Sequence, residues 1–165
     1  MTKAIYCYWD TKVNEPIYKI GKADERVNRS QDEEESQEDF VISIVKGRIK
    51  EQQTAATWGE LKLVHAWDIS DCENSTEVEH AIHDAIEFGA GHERKKRTDL
   101  DGKKGSTEWF EFYEFGGPEF DKELAEGKVI DFVTNTIKEV TGKSGLNTYT
   151  PRAYQKWVAD EVVTA

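Results

Sequence analysis

Hydrophobic and polar positions divide this chain into segments of two periods. Residues 4–9, Ala4-Ile5-Tyr6-Cys7-Tyr8-Trp9, form an apolar, aromatic run that predicts a buried strand. Residues 10–15 are polar, contain Asn14 and lead to Pro16, which predicts a hairpin-like connection. Residues 17–22 form a second strand closed by Gly21, so the first two strands should pair antiparallel. Residues 24–29 suit a short helix opened by an acid, which complements the positive helix N-terminus. Phe40, Val41, Ile44, Val45 and Ile49 recur at helical spacing and predict a helix over 39–53. Leu61, Leu63, Trp67 and Ile69, with His65 between them, share one parity and predict a third strand.

The second half opens on the clearest helix. Ser75 can cap it, Val78, Ile82, Ala85 and Ile86 form its apolar stripe, and Gly89 and Gly91 end it. A loop over 94–104 and a short aromatic strand or turn over 109–115 follow. Residues 120–141 read as a helix with Leu124, Val129, Phe132, Val133, Ile137 and Val140 inward. Residues 142–150 suit a linker and 151–163 a final helix. The expected fold is a small α/β unit of the α+β kind. It has about three mainly antiparallel strands flanked by helices, and a helical C-terminal extension. The division falls into a first domain at 1–115 and an extension at 116–165.

A length of 165 residues suits one domain with an appendage, and five Trp, six Tyr and seven Phe supply a modest core. The net charge of -11 is the opposite of a nucleic-acid binder's usual balance. The charge is uneven, however. Asp32, Glu33, Glu34, Glu35, Glu38 and Asp39 make an acidic run that reads as a solvated loop or helix start. Arg94, Lys95, Lys96, Arg97, Lys103 and Lys104 stand against only Asp99 and Asp101, a stretch able to contact phosphates. Cys7 and Cys72 have no metal or disulfide spacing and read as free thiols. No signal peptide or membrane span is visible, so a reducing, intracellular setting is expected.

Several residues have chemistry to offer. Glu79 and His83 are i and i+4, stacked on one side of the third predicted helix beside its apolar stripe. A lone hard carboxylate with waters is an ordinary Mg²⁺ site. An imidazole titrates near neutrality and can carry a proton. Arg26 and Arg29 are i and i+3 and share a face. Lys19 and Tyr18 are neighbours on the second strand and should face opposite sides of the sheet.

The set Ala4-Ile5-Tyr6-Cys7-Tyr8, Tyr18-Lys19-Ile20-Gly21-Lys22, Glu79-His80-Ala81-Ile82-His83 and Glu108-Trp109-Phe110 resembles the GIY-YIG nuclease superfamily in order and spacing. The nearest branch is the phage and bacterial one with Lys-Ile-Gly in its second motif. The resemblance implies a metal-dependent DNA endonuclease using Mg²⁺ or Mn²⁺, in a bacterial cytoplasm or a phage-infected host. It implies that Tyr6 is the first-motif tyrosine, with Ala4 in place of glycine. Lys19 stands where a tyrosine is expected, and whether Lys19 or Tyr18 does that work stays open. Arg26 or Arg29 would bind phosphate, Glu79 would hold the metal and His83 would carry a proton or bind phosphate. Lys22 joins the basic 94–104 stretch as a nucleic-acid contact. Glu108 is assigned no catalytic role.

Tyr149 to Lys156 resembles the Arg-x-Tyr-Gln lead-in of superfamily 2 helicases and translocases. No GxxxxGK[ST] loop is present, so the expected arrangement is an N-terminal nuclease domain with the motor absent from this chain. The rival is a non-catalytic nucleic-acid-binding or protein-docking module of the same fold, favoured by the second-motif departure and the acidic surface.

Overall fold

The computed structural model describes residues 1–11, 15–25, 31, 33–55, 61–89, 93–95, 109–112, 114, 120–143 and 145–151. The side chains of 52–55 and 93–95 lie outside that description. One antiparallel sheet carries strands β1 (Lys3–Asp10), β2 (Ile17–Asp24), β3 (Leu61–Asp68), β4 (Glu93–Lys95), β5 (Trp109–Glu111) and β6 (Thr148–Tyr149). Their order is β4-β5-β2-β1-β3-β6. The three strands expected from periodicity are its centre. Of the three added ones, β5 falls in the aromatic stretch expected to be a strand or turn, whereas β4 and β6 fall where a loop and a linker were expected and are defined by their partners on the sheet. Helix α1 (Gln37–Ala55) covers one face, and α2 (Ser75–Asp84) and α3 (Lys122–Thr141) pack on the other. The fold is therefore α+β, as expected.

β1 is buried on both sides because both faces are covered. Ala4, Tyr6 and Tyr8 meet Val41, Val45 and Ile49 of α1, while Ile5, Cys7 and Trp9 meet the α2 and α3 side. α3 places Val129, Val133 and Ile137 in that second core. The expected inward stripe holds at these three positions and departs only at its ends. Leu124 and Val140 are exposed, and Ala125 and Thr136 are buried instead. Asp121 caps α3 by accepting from Leu124 N at 3.1 Å, and Gly142 closes it at φ 69°, a conformation that suits glycine.

β3 departs from single-parity alternation. Its pairing with β1 slips between Cys7 and Tyr8, so Leu61 and Leu63 face α1 whereas Trp67 and Ile69 face α3. A bulge adds one residue and inverts every later side chain. The cap of α2 also differs from expectation. Asn74, with extended φ and ψ, accepts from Thr76 N and Glu77 N. Ser75 is thereby released, and its hydroxyl donates to Asp24 Oδ1 at 3.0 Å, tying the start of α2 to the end of β2. Both cysteines are free thiols, and burial pushes the Cys7 thiol well above its ordinary range.

His65 is 5% exposed, and its Nδ1 lies 3.0 Å from Thr150 Oγ1. Burial lowers its pKa from 6.5 to about 4. The unfolded chain therefore binds a proton that the folded chain excludes. The stabilisation is complete above pH 6.5 and is lost as pH falls through about 4. Urea unfolding at roughly pH 5 should show about 2 kcal/mol less stability than at neutral pH, and His65→Leu should remove most of that difference. An unchanged pH slope in the variant would show that other groups carry it.

Candidate active site

β5 pairs with β2 along Ile17–Lys19, and the rest of β2 is bordered by α2. Between this end of β2, helix α1 and helix α2 lies a cleft of roughly 630 Å³. Tyr6, Lys22, Ala23 and Asp24 form its floor, and Glu79 reaches it from α2. Ser43, Ile44, Gly47, Arg48 and Glu51 of α1 form the remaining wall.

Tyr6 is set by its neighbour across the ladder. Tyr6 pairs with Gly21, and its ring lies over that glycine. A Cβ at Gly21 would sit 2.7 Å from Tyr6 Oη and 2.9 Å from Cζ. Gly21 has no left-handed φ, so the space it vacates, not a special backbone angle, is what the ring needs. The Tyr6 hydroxyl shares a hydrogen bond with the Arg48 guanidinium. Arg48 Nη1 also donates to Glu51 Oε2 at 3.4 Å. Burial works to lower the Arg48 pKa, but Tyr6 and Glu51 outweigh it and raise it, so the cation is secure. Lys22 Nζ is paired with Asp24 Oδ2 at 2.9 Å.

Glu79 and His83 share a face of α2 but reach different surroundings. Glu79, 7% exposed, lines the cleft. His83, 3% exposed, lies in the seam between α2 and β2 and is not part of the cleft wall. Its Nε2 donates to the Ile20 carbonyl at 2.8 Å, and its ring packs 4.8 Å from Phe110. A carbonyl can only accept, so Nε2 carries a hydrogen. The side chain expected to carry a proton thus links α2 to β2 through this hydrogen bond and is not among the residues lining the cleft.

Lys19 and Tyr18 do part to opposite faces. Lys19 is 1% exposed, and its register partners are Tyr8 on β1 and Trp109 on β5. It is not among the residues lining the cleft. Tyr18 points into the α3-side core against Trp9 and Phe112, and burial pushes its phenol well up. Tyr18 therefore cannot share a site with Tyr6. Arg26, Arg29, Lys96, Arg97, Lys103, Lys104 and Glu108 lie outside the described residues. Arg94 and Lys95 are backbone members of β4, with side chains likewise outside the description.

The α1 wall is what reading the sequence missed. Arg48 lies on α1, with β2 between it and the strand of Tyr6 in the chain, and no motif marks it. A signal was present nonetheless. Ser43, Gly47 and Glu51 recur every four residues on the side of α1 away from Val41, Val45 and Ile49, and glycine is a poor choice inside a helix.

A profile of the T5orf172 domain matches residues 3–134. The chain belongs to the T5orf172 domain family. The T5orf172 match runs from the start of β1 into α3 and so contains every residue of the cleft. The family is nuclease-associated. No curated protein and no solved structure matches the chain. Among the described residues no helix is long and apolar enough to cross a membrane.

Proposed function

We propose that this T5orf172 domain is a metal-dependent DNA endonuclease of GIY-YIG type, working in the cleft between β2, α1 and α2. One observation carries the reading. A tyrosine, an arginine and a carboxylate from three separate elements converge on one cleft. Hydrolysing a phosphodiester needs an oriented water, a cation at the phosphate and help for the leaving oxygen.

Arg48 supplies the cation, because its fork can face a phosphate from the cleft wall. Tyr6 orients the attacking water through its hydroxyl, already held by Arg48. The water oxygen bonds to phosphorus and gives up a proton, the ester P–O bond breaks, and the departing oxygen takes up a proton, so one proton is released and one consumed. His83 acts by position, holding α2 so that Glu79 faces the cleft. Lys19 is buried between Tyr8 and Trp109 in the sheet register, on the sheet face that carries Tyr6. Arg26 and Arg29 stay as further phosphate contacts, as do Lys22 and the basic residues between Arg94 and Lys104.

Glu79 fits Mg²⁺ or Mn²⁺. Magnesium is held by one or two carboxylates plus waters and substrate phosphates, not by a dedicated protein cage. When bound, the cation supplies charge neutralisation at the phosphate and leaving oxygen. A helicase motor in the full-length protein is the partner that the Arg-x-Tyr-Gln lead-in would suit. The described residues end at Pro151, inside the Tyr149–Lys156 stretch and just before its Arg-x-Tyr-Gln.

The test is supercoiled plasmid with Mg²⁺ or Mn²⁺, comparing the intact chain with Glu79→Gln. Divalent-dependent nicking, reduced at least about 100-fold in the variant, is expected. Equal nicking in both would remove Glu79 from the mechanism. The second reading is a non-catalytic DNA-binding module. It is favoured because both cleft cations already face carboxylates, Lys22 with Asp24 and Arg48 with Glu51. Salt-sensitive DNA binding with no cleavage of plasmid, branched or single-stranded DNA would establish it.

A further inference from the structure

A cleft of roughly 630 Å³ has more room than a phosphate group needs and is in the range that holds small organic ligands. Its α1 wall is also not built for an anion alone. Ile44 packs, half-buried, at the margin of the α1-side core and also lines the cleft, and Gly47 lies beside it at i+3.

Gly47 is the unusual member. It stands inside a helix of 19 residues, where glycine weakens the helix relative to alanine. Its φ is not left-handed, so the backbone does not require glycine. Among the described residues a Cβ built there would meet nothing within 4 Å, so their packing does not require it either. What its bare backbone provides is an open step on the cleft wall. Ile44 and Ala23 make the surroundings of that step apolar, and Arg48 and Lys22 place two cations next to it.

An apolar step beside paired cations matches a nucleoside joined to a phosphate. We propose that the cleft takes an unpaired nucleotide, its phosphate towards Arg48 and Lys22 and its nucleoside against Ile44 and Gly47. A base stacked and paired in a duplex cannot leave the helix to reach this wall without unstacking, which costs free energy. The substrate class is therefore single-stranded DNA, or duplex DNA with a frayed or flapped end. This rests on the reading of the cleft as a phosphate site.

The test uses calorimetry on the intact chain, with thymidine 5′-monophosphate and inorganic phosphate as separate probes. The nucleotide should bind at least tenfold more tightly than phosphate. In Gly47→Leu that preference should disappear while phosphate binding stays within about twofold, and the melting temperature should hold or rise because leucine favours the helix. A melting temperature that holds while the preference vanishes separates occupation of the wall from misfolding. Equal binding of the two probes by the intact chain overturns the inference, as does a preference that survives Gly47→Leu. A chain that nicks plasmid yet binds both probes alike loses this inference and keeps the nuclease reading. One that prefers the nucleotide yet cuts nothing keeps the inference and loses the nuclease reading. Binding of neither probe overturns the phosphate site itself.

Discussion

Arg48→Gln is expected to slow DNA cleavage by about 100- to 1,000-fold while leaving the fold intact. The guanidinium is the cleft cation best placed to meet a phosphate, since it already holds both Tyr6 and Glu51. A preorganised cation gains strength where charge develops, because nothing has to reorient during the reaction. Glutamine keeps much of the length and can still hydrogen-bond, but the charge is gone. The stability change should be small. The Arg48–Glu51 pair is partly exposed, and such pairs contribute about 0–1 kcal/mol. Single-turnover cleavage of plasmid, read beside the melting temperature, checks this. Arg48→Lys should recover only part of the loss, because an ammonium carries the charge without the fork that spans Tyr6 and Glu51. Cleavage within threefold of the intact chain would transfer the phosphate role to Arg26 or Arg29.

The second large effect should come from Gly21→Ala, a change of one methyl group. The new Cβ would stand 2.7 Å from Tyr6 Oη and 2.9 Å from Cζ. Real Cβ contacts are not that short, so the Tyr6 ring or the β1–β2 ladder must move. The ring is 1% exposed and packed on Tyr8 at 5.6 Å between centroids, which leaves little freedom to yield. Overpacking of this kind costs about 1–3 kcal/mol. Cleavage should fall further than stability explains, because the hydroxyl displaced is the one bonded to Arg48. A double-mutant cycle with Tyr6→Leu isolates the cause. Coupling above about 1 kcal/mol in urea unfolding would place the conflict at that ring. Additive effects would show that Gly21 answers to another demand.

These two residues were not equally visible in the sequence. Gly21 and Tyr6 both stand in motifs on adjacent strands, so their proximity follows once a hairpin is inferred. Glu79 was legible for a similar reason: a carboxylate at the edge of an apolar helical stripe has few places to go. Arg48 had no such marker. Its value comes from α1 lying across the sheet face that carries Tyr6, a relation between segments about forty residues apart.

His83 shows the converse. Its spacing from Glu79 suggested a shared task, and periodicity rightly placed both on one helical face. A face of α2 nevertheless spans a seam and a cleft at once, and one turn of helix separates them. The β3 bulge has the same origin. Alternation predicts a strand, but the Cys7–Tyr8 slip against β1 is a property of two strands fitted together.

The sequence by itself determined the three long strands, the three helices and the presence of a tyrosine, a glutamate and basic residues suited to phosphate chemistry. Those follow from local periods of 2.0 and 3.6 and from side-chain type, which each segment carries alone. Only the tertiary structure decided which helix stood over Tyr6, that Arg48 joined it, that His83 bonded to β2 and did not line the cleft, and that Tyr18 lay on the far side. Each of these depends on how layers are stacked and registered. That is settled by burying both sheet faces together, a free energy no single segment holds.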